Sequence, residues 1–323
     1  MKSKKLVKWS LLLLLILAII ACARLYYYLT DDFRLSNIRY DNPPYAITAQ
    51  SLPTEEEKQE ITNILLQPFY YMDKGAQSYA FVSADQQYVL KFFKFKHLKP
   101  TWYIQLLPSV TPFHHLKEHN RINKQRKLAG VFEGYEIAYA HNKKNSGLIY
   151  LHLAPTNFMN LQLTLFDKMG RKHVVDADES IFLLQKKGVA LRDHLNNYFE
   201  KNQITEVKNS LGLILDMYGQ EYQAGIYDRD HGILRNTGFV DSNPFHLDVG
   251  KLTLDTRIKD PNIYKQDLQI VIWNIEMWIK KAYPNYYPEI QAFLANKYHQ
   301  MTGEQLDLSD MNAEKIRAWR HRQ

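Results

Sequence analysis

The chain has 323 residues, with 41 Lys and Arg against 34 Asp and Glu, and a single cysteine. One cysteine excludes an intramolecular disulfide framework, and the length suffices for one substantial core. The net charge of +7 gathers at the ends, in Lys2, Lys4, Lys5 and Lys8 and in Lys315, Arg317, Arg320 and Arg322. The body is left near neutral, so no nucleic-acid partner is expected.

Leu11–Ala23 is a run of thirteen residues without a polar side chain, and Leu25–Leu29 extends it past Arg24. Trp9–Leu29 is long enough to cross a bilayer, with Trp9 and Tyr26–Tyr28 placed as interfacial anchors. Residues 1–30 are therefore expected to be a membrane anchor or signal segment. The lysines ahead of the run predict a single pass with a cytoplasmic N-terminus and an exported remainder. Cys22 follows Ile19-Ile20-Ala21, which resembles the lipobox of bacterial lipoproteins and implies a lipid anchor on Cys22 as the alternative. Asn42-Pro43-Pro44 to Pro53 reads as the heart of a linker over 31–53. Thr54-Glu55-Glu56-Glu57 then opens the first helix of a domain running to 323.

Asp73–Val82 and Gln87–Phe93 pattern as a loop around Gly75 followed by a hairpin turning at Ala84–Gln86, its second strand carrying Lys91. Lys91 has two readings: a ligand-facing lysine, or a solvated strand lysine like Lys94 and Lys96. His115–Tyr139 is helix-permissive. Leu148–Leu153, Leu161–Phe166 and Ser180–Gln185 are strand-like, and the polar turn Asp167–Arg171 should join two of them as a hairpin. Apolar residues at helical spacing predict helices over Thr205–Gln223 and Ile263–Lys281. Another is expected over Glu289–Gln300, and a last one from Ser309 as N-cap into Arg317.

Within this order lies Tyr227–Gly250, where Asp228 and Asp230 precede Asn236, and Asp248 precedes Gly250. Together these parts resemble the divergent protein-kinase-like superfamily, nearer its atypical and small-molecule kinases. The resemblance covers about Tyr70–Leu252 by motif. It implies an α+β, bilobal protein-kinase-like fold behind an N-terminal transmembrane helix, with a small lobe over about 54–187 and a helical lobe over about 188–323. It further implies ATP and Mg²⁺ as cofactors. Gly75 and Ser78 would cover the phosphates and Lys91 would pair with them, held by Glu118, Glu133 or Glu136. Lys186-Lys187-Gly188 would be the hinge whose backbone holds the adenine. Asn236 and Asp248 would hold the metal, and Asp230, or else Asp228, would serve as base toward an unidentified acceptor or protein partner.

The pattern also departs from that family. Only Gly75 remains of the glycine-rich loop, Asp248-Val249-Gly250 stands for D-F-G, and Asp230–Asn236 is one residue longer than the usual separation. Since ATP is scarce outside the cytoplasm, the exported orientation makes an inactive kinase-like binding module the alternative to a phosphotransferase. A third reading comes from His115-Leu116-Lys117-Glu118-His119, which matches the H-x-x-E-H helix of inverted zinc peptidases, with His115 and His119 as ligands and Glu118 activating water.

Overall fold

The computed structural model describes residues 2–40, 53–312, 314–316 and 319. A long helix α1 (Lys2–Thr30) is followed by one turn of helix, α2 (Leu35–Ile38), and by α3 (Glu55–Leu65). Strands β1 (Phe69–Lys74), β2 (Ser78–Ser83) and β3 (Tyr88–Phe93) lead to a short α4 (Trp102–Gln105) and the 29-residue α5 (Phe113–His141). After α6 (Lys143–Ser146) come β4 (Leu148–His152), β5 (Gln162–Phe166), β6 (Lys172–Asp176), β7 (Phe182–Lys186) and β8 (Val189–Ala190). The remainder is mostly helical: α7 (Leu191–Glu200), α8 (Ile204–Ala224), α10 (Pro261–Ala282) and α11 (Tyr287–Thr302). Between α8 and α10 lie β9 (Ile226–Asp228), α9 (Ile233–Asn236), β10 (Thr237–Val240), β11 (Asn243–His246) and β12 (Leu252–Leu254). The fold is α+β, and strands, one long helix, further strands and then a helical half succeed one another in the expected kinase-like order.

Two compact units form, one from residues 1–121 and 152–184, the other from 122–151 and 185–323. In the first unit the strands run β7-β3-β2-β1-β5-β6. Its core is aromatic: Phe33 meets Tyr79 and Phe81 edge-on at 5.3 and 5.1 Å between ring centres, and Phe81 packs on Phe92. The β2–β3 turn falls where expected, with Gln86 at φ 62°. The Asp167 turn does join a hairpin, but its second strand is β6, not the Ser180 run. Asp167 is buried and closes the turn by accepting from the Met169 and Arg171 amides and the Arg171 side chain. The Ser180 run instead becomes β7, beside β3.

Helix α1 continues unbroken through Cys22, and its stretch Lys8–Thr30 is long and apolar enough to span a membrane. Beyond it, the start of the expected linker is not a linker. Residues 31–40 are pinned to the first unit, with Phe33 and Ile38 buried. Asp31 accepts from Tyr71, Lys74 and Lys168, and Asp32 pairs with Lys96. Burial would raise the Asp31 carboxyl, but the hydrogen bonds from Lys74, Lys168 and Tyr71 hold it at about 2. Residues 41–52, the remainder of that expected linker apart from Pro53, lie outside the described residues. At α3 the expected start holds: Thr54 and Glu57 form a reciprocal capping box.

The second unit is built on α8, α10 and α11. Leu211, Ile214, Leu215 and Tyr218 of α8 share one core with Leu268, Val271, Ile272, Ile275 and Ile279 of α10 and Ile290 and Leu294 of α11. The closing helical turn is capped by Asn312, not Ser309: the Asn312 side chain accepts from the Glu314 and Lys315 amides. Arg317 lies outside the described residues.

Two glycines of α5 make a matched test of packing. A β-carbon at Gly134 would lie 2.8 Å from the Gly250 carbonyl carbon and the Val249 oxygen, whereas one at Gly130 would meet nothing within 4 Å. Gly130→Ala should therefore stabilise the chain by about 0.5–1 kcal/mol through helix propensity. Gly134→Ala should destabilise it by roughly 1–3 kcal/mol, because backbone must move. Denaturant melts of both variants check the opposite signs.

Candidate active site

The two halves of the expected site fall in different units. In the first unit, Gly75 sits in the β1–β2 turn, its amide donating to the Ser78 carbonyl at 2.9 Å. Neither its φ nor its surroundings demand glycine, since a β-carbon there would touch only Ser78, at 3.6 Å or more. Lys91 is half-buried in β3 opposite Ala80, between buried Leu90 and Phe92. Lys94 is not a solvated neighbour. Its ammonium donates to the Gly75 carbonyl and lies 4.6 Å over the Tyr79 ring, and burial pushes its pKa down. Lys94 thus braces the loop that sequence reasoning singled out, while Lys96 is bound to Asp32.

In the second unit, β9 and β12 pair antiparallel with Asp228 opposite Leu252, which sets the Asp228 loop beside the Asp248 loop. Asn236 ties them together. Its side-chain amide donates to Asp230 Oδ2 at 2.9 Å, and its carbonyl accepts from the Leu247 and Asp248 amides at 2.7 and 3.3 Å. Asp230 and Asp248 are exposed and Asn236 is half-buried, so all three can meet a ligand. Asp248 Oδ1 accepts from the Gly250 amide at 3.1 Å and the Tyr135 hydroxyl at 3.3 Å. Burial, reinforced by the Asp248 charge, raises the Tyr135 hydroxyl far above its ordinary value, so it donates. With Gly134 against Val249 and Gly250, two adjacent residues of α5 shape the Asp248 loop. Sequence reasoning singled out neither of them.

Asp228 has a different environment. It is 1% exposed, and its Oδ1 accepts the Asp230 amide at 2.9 Å. Its Oδ2 has no hydrogen-bond partner among the described residues. Burial pushes its carboxyl up to about 6, against the opposing pull of His246 and His231. Nearby, His246 Nε2 lies 3.0 Å from Glu221, whose Oε1 also accepts from Asn142 and Asn145. Burial alone would lower the His246 pKa, but the Glu221 carboxylate outweighs it and the value rises.

The loop is held from beneath by Asp267 of α10, which has no exposure. Its oxygens meet His231 Nε2 at 2.6 Å, Trp319 Nε1 at 2.9 Å and the Tyr222 hydroxyl at 2.7 Å. His231 adopts a left-handed φ of 52°, so this grip fixes an unfavourable turn just after Asp230. The expected hinge glycine is sterically required within its own unit: a β-carbon on Gly188 would lie 2.2 Å from the Phe245 ring.

For Mg²⁺ the donor chemistry fits. With its nitrogen turned to Asp230, Asn236 keeps its side-chain oxygen available, and Asp248 adds a carboxylate, which is the hard oxygen set that the ion prefers. The zinc-peptidase motif finds no third ligand among the described residues. His115, Glu118 and His119 do share α5, but Glu118 is engaged by Arg121 at 3.0 Å. No cluster of three or more metal-ligating His, Cys, Asp or Glu exists among the described residues.

No protein-family model matches the chain, and no curated protein does. Among solved structures it is similar to the crystal structure of WbdD, at 10% identity and TM-score 0.36, over 78% of this chain and 49% of that one. A second structure, of the bifunctional kinase-methyltransferase WbdD, aligns at 11% identity and TM-score 0.33 over 76% and 47%. The streptomycin–ATP–APH(2")-IIa complex aligns at 14% identity and TM-score 0.26, over 80% and 98%. The chain spans about half the length of the WbdD structures it matches.

Asp228 supplies a prediction with a definite sign. Its folded value of about 6 lies above the ordinary 3.8, so the associated stability is full below pH 3.8 and is lost as pH rises to about 6. Asp228→Asn abolishes that loss. At pH 7.5 the variant should be the more stable by as much as about 3 kcal/mol, the gap closing below about pH 4. Thermal melts across this range check it, and a pH-independent difference would contradict the assignment.

Proposed function

We propose that this chain is a membrane-anchored, kinase-like phosphotransferase that uses ATP and Mg²⁺. The observation that carries the reading is the single hydrogen-bonded unit of Asp230, Asn236 and the Asp248 loop, in which one asparagine orients an exposed acid and anchors a second. Mg²⁺, if held there, would supply neutralisation of the negative charge on a transferring phosphoryl group. Asn236 and Asp248 are assigned to hold it, and Lys91, Gly75 and Ser78 to meet the phosphates. Asp230 is assigned to orient the acceptor hydroxyl. It is preferred over Asp228 because a base must be within hydrogen-bond reach of its substrate, and Asp228 is buried. Helix α1 is assigned as the anchor, single-pass with a cytoplasmic N-terminus or lipid-linked at Cys22.

The second reading, an inactive binding module exposed outside the cytoplasm, draws on two observations. Four lysines precede the apolar run, and the Gly75 amide is already spent on Ser78. Titration of the full-length chain with ATP, with and without Mg²⁺, separates the two. Mg²⁺-dependent binding that Asp248→Asn weakens at least tenfold is expected. Gly75→Ala should weaken it too while leaving the melting temperature unchanged, because the turn itself does not need glycine. No binding of ATP, GTP or ADP at millimolar concentration would select the inactive module.

A further inference from the structure

We propose that residues 101–117 form a second membrane contact, an interfacial foot that docks on an anionic bilayer beside α1; this rests on α1 being a membrane anchor. The segment is an excursion closed at its base, where the Thr101 amide donates to Asn120 Oδ1 at 2.9 Å and the Asn120 amide returns a bond to Thr101 Oγ1. Lys117 reaches back to Ser109 at 3.3 Å. Its apolar side chains are not turned inward. Trp102 is 72% and Leu106 74% exposed, and Tyr103, Val110 and Leu116 are exposed with them. A short segment with so many large apolar side chains left in solvent marks an interaction surface.

Three observations favour lipid as the occupant. The first is continuity with the anchor. Asp32, two residues beyond α1, pairs with Lys96, the Tyr40 ring packs edge-on against Phe95 at 5.0 Å, and the Lys99 ammonium lies 5.2 Å over Tyr40. The excursion therefore leaves the first unit where α1 leaves it. The second is chemical type: Trp and Tyr beside aliphatic side chains suit the boundary between headgroups and acyl chains. At the end of α1 a matching marker appears, with the Arg34 guanidinium over the Tyr26 and Tyr27 rings at 5.1 and 5.7 Å. The third is charge. From Lys94 to Arg121 the only acid is Glu118, and it is paired with Arg121, so Lys99 and Lys117 bring positive charge to an anionic surface with little negative charge of the segment's own.

The test uses the full-length chain carrying Cys22→Ser, with a nitroxide placed after Leu106→Cys or, separately, after Ile16→Cys. Each is reconstituted into vesicles of phosphatidylcholine with or without phosphatidylglycerol. Power saturation compares access to oxygen, which partitions into lipid, with access to a water-soluble nickel chelate. The expected result is a lipid-buried label at 16 and a label at 106 that favours oxygen, more strongly when phosphatidylglycerol is present. A label at 106 in water with 16 in lipid overturns the foot and leaves the anchor standing. Closure of 106 to both reagents also overturns it, in favour of a protein partner or a second copy. A label at 16 in water removes the anchor, and the foot with it.

Discussion

A carboxyl group sealed from water must find hydrogen-bond partners for its oxygens, and Asp267 has three of them. One is the imidazole of His231, held left-handed in the loop after Asp230. Another is the Tyr222 hydroxyl of α8, and the third the Trp319 indole near the chain end. A single buried side chain thereby joins α8, α10, the closing helical turn and the acidic loop. Replacing it by an apolar side chain would free partners on three other segments at once, which is why the loop geometry depends on residues far from Asp230 in sequence.

The same unit holds a second buried polar layer with a different character. Glu221 is fully engaged, by His246 and two asparagines, whereas Asp228 has a bonded oxygen and an unpaired one. The exposed acids Asp230 and Asp248 stand above this layer. Two kinds of carboxylate result from twenty-one residues of sequence: outer ones free to engage a cation or hydroxyl, and an inner one whose pKa burial pushes up to about 6.

Much of the fold was legible because it rests on periodicity. The apolar stripes of α8 and α10, the Thr54 capping box and the Ala84–Gln86 turn all derive from local spacing. Strand β6 was missed because Lys172 and His173 mask its alternation, and α7 because its apolar residues, Leu191, Leu195 and Phe199, are few. Position decided what composition could not. Lys94 and Lys96 look alike in sequence, but one is buried against Tyr79 and the other meets an aspartate over sixty residues earlier. Asp228 and Asp230 likewise differ by two residues and by the whole depth of the protein surface. Gly134 gave no signal beyond its helix penalty, because the backbone that requires it is more than a hundred residues away.

The junction after α1 has a mechanical consequence. Asp31 is clamped by two lysines and a tyrosine, and Phe33 is driven into the aromatic core two residues later. There is no slack between the helix and the first unit. A bilayer around α1 would hold that unit at a fixed height, free to spin about the membrane normal but not to swing outward. Anything it engages would have to arrive at that height, by sliding within the leaflet or by extending to a set distance from it. The length of a partner, as much as its chemistry, would then decide whether the two can meet.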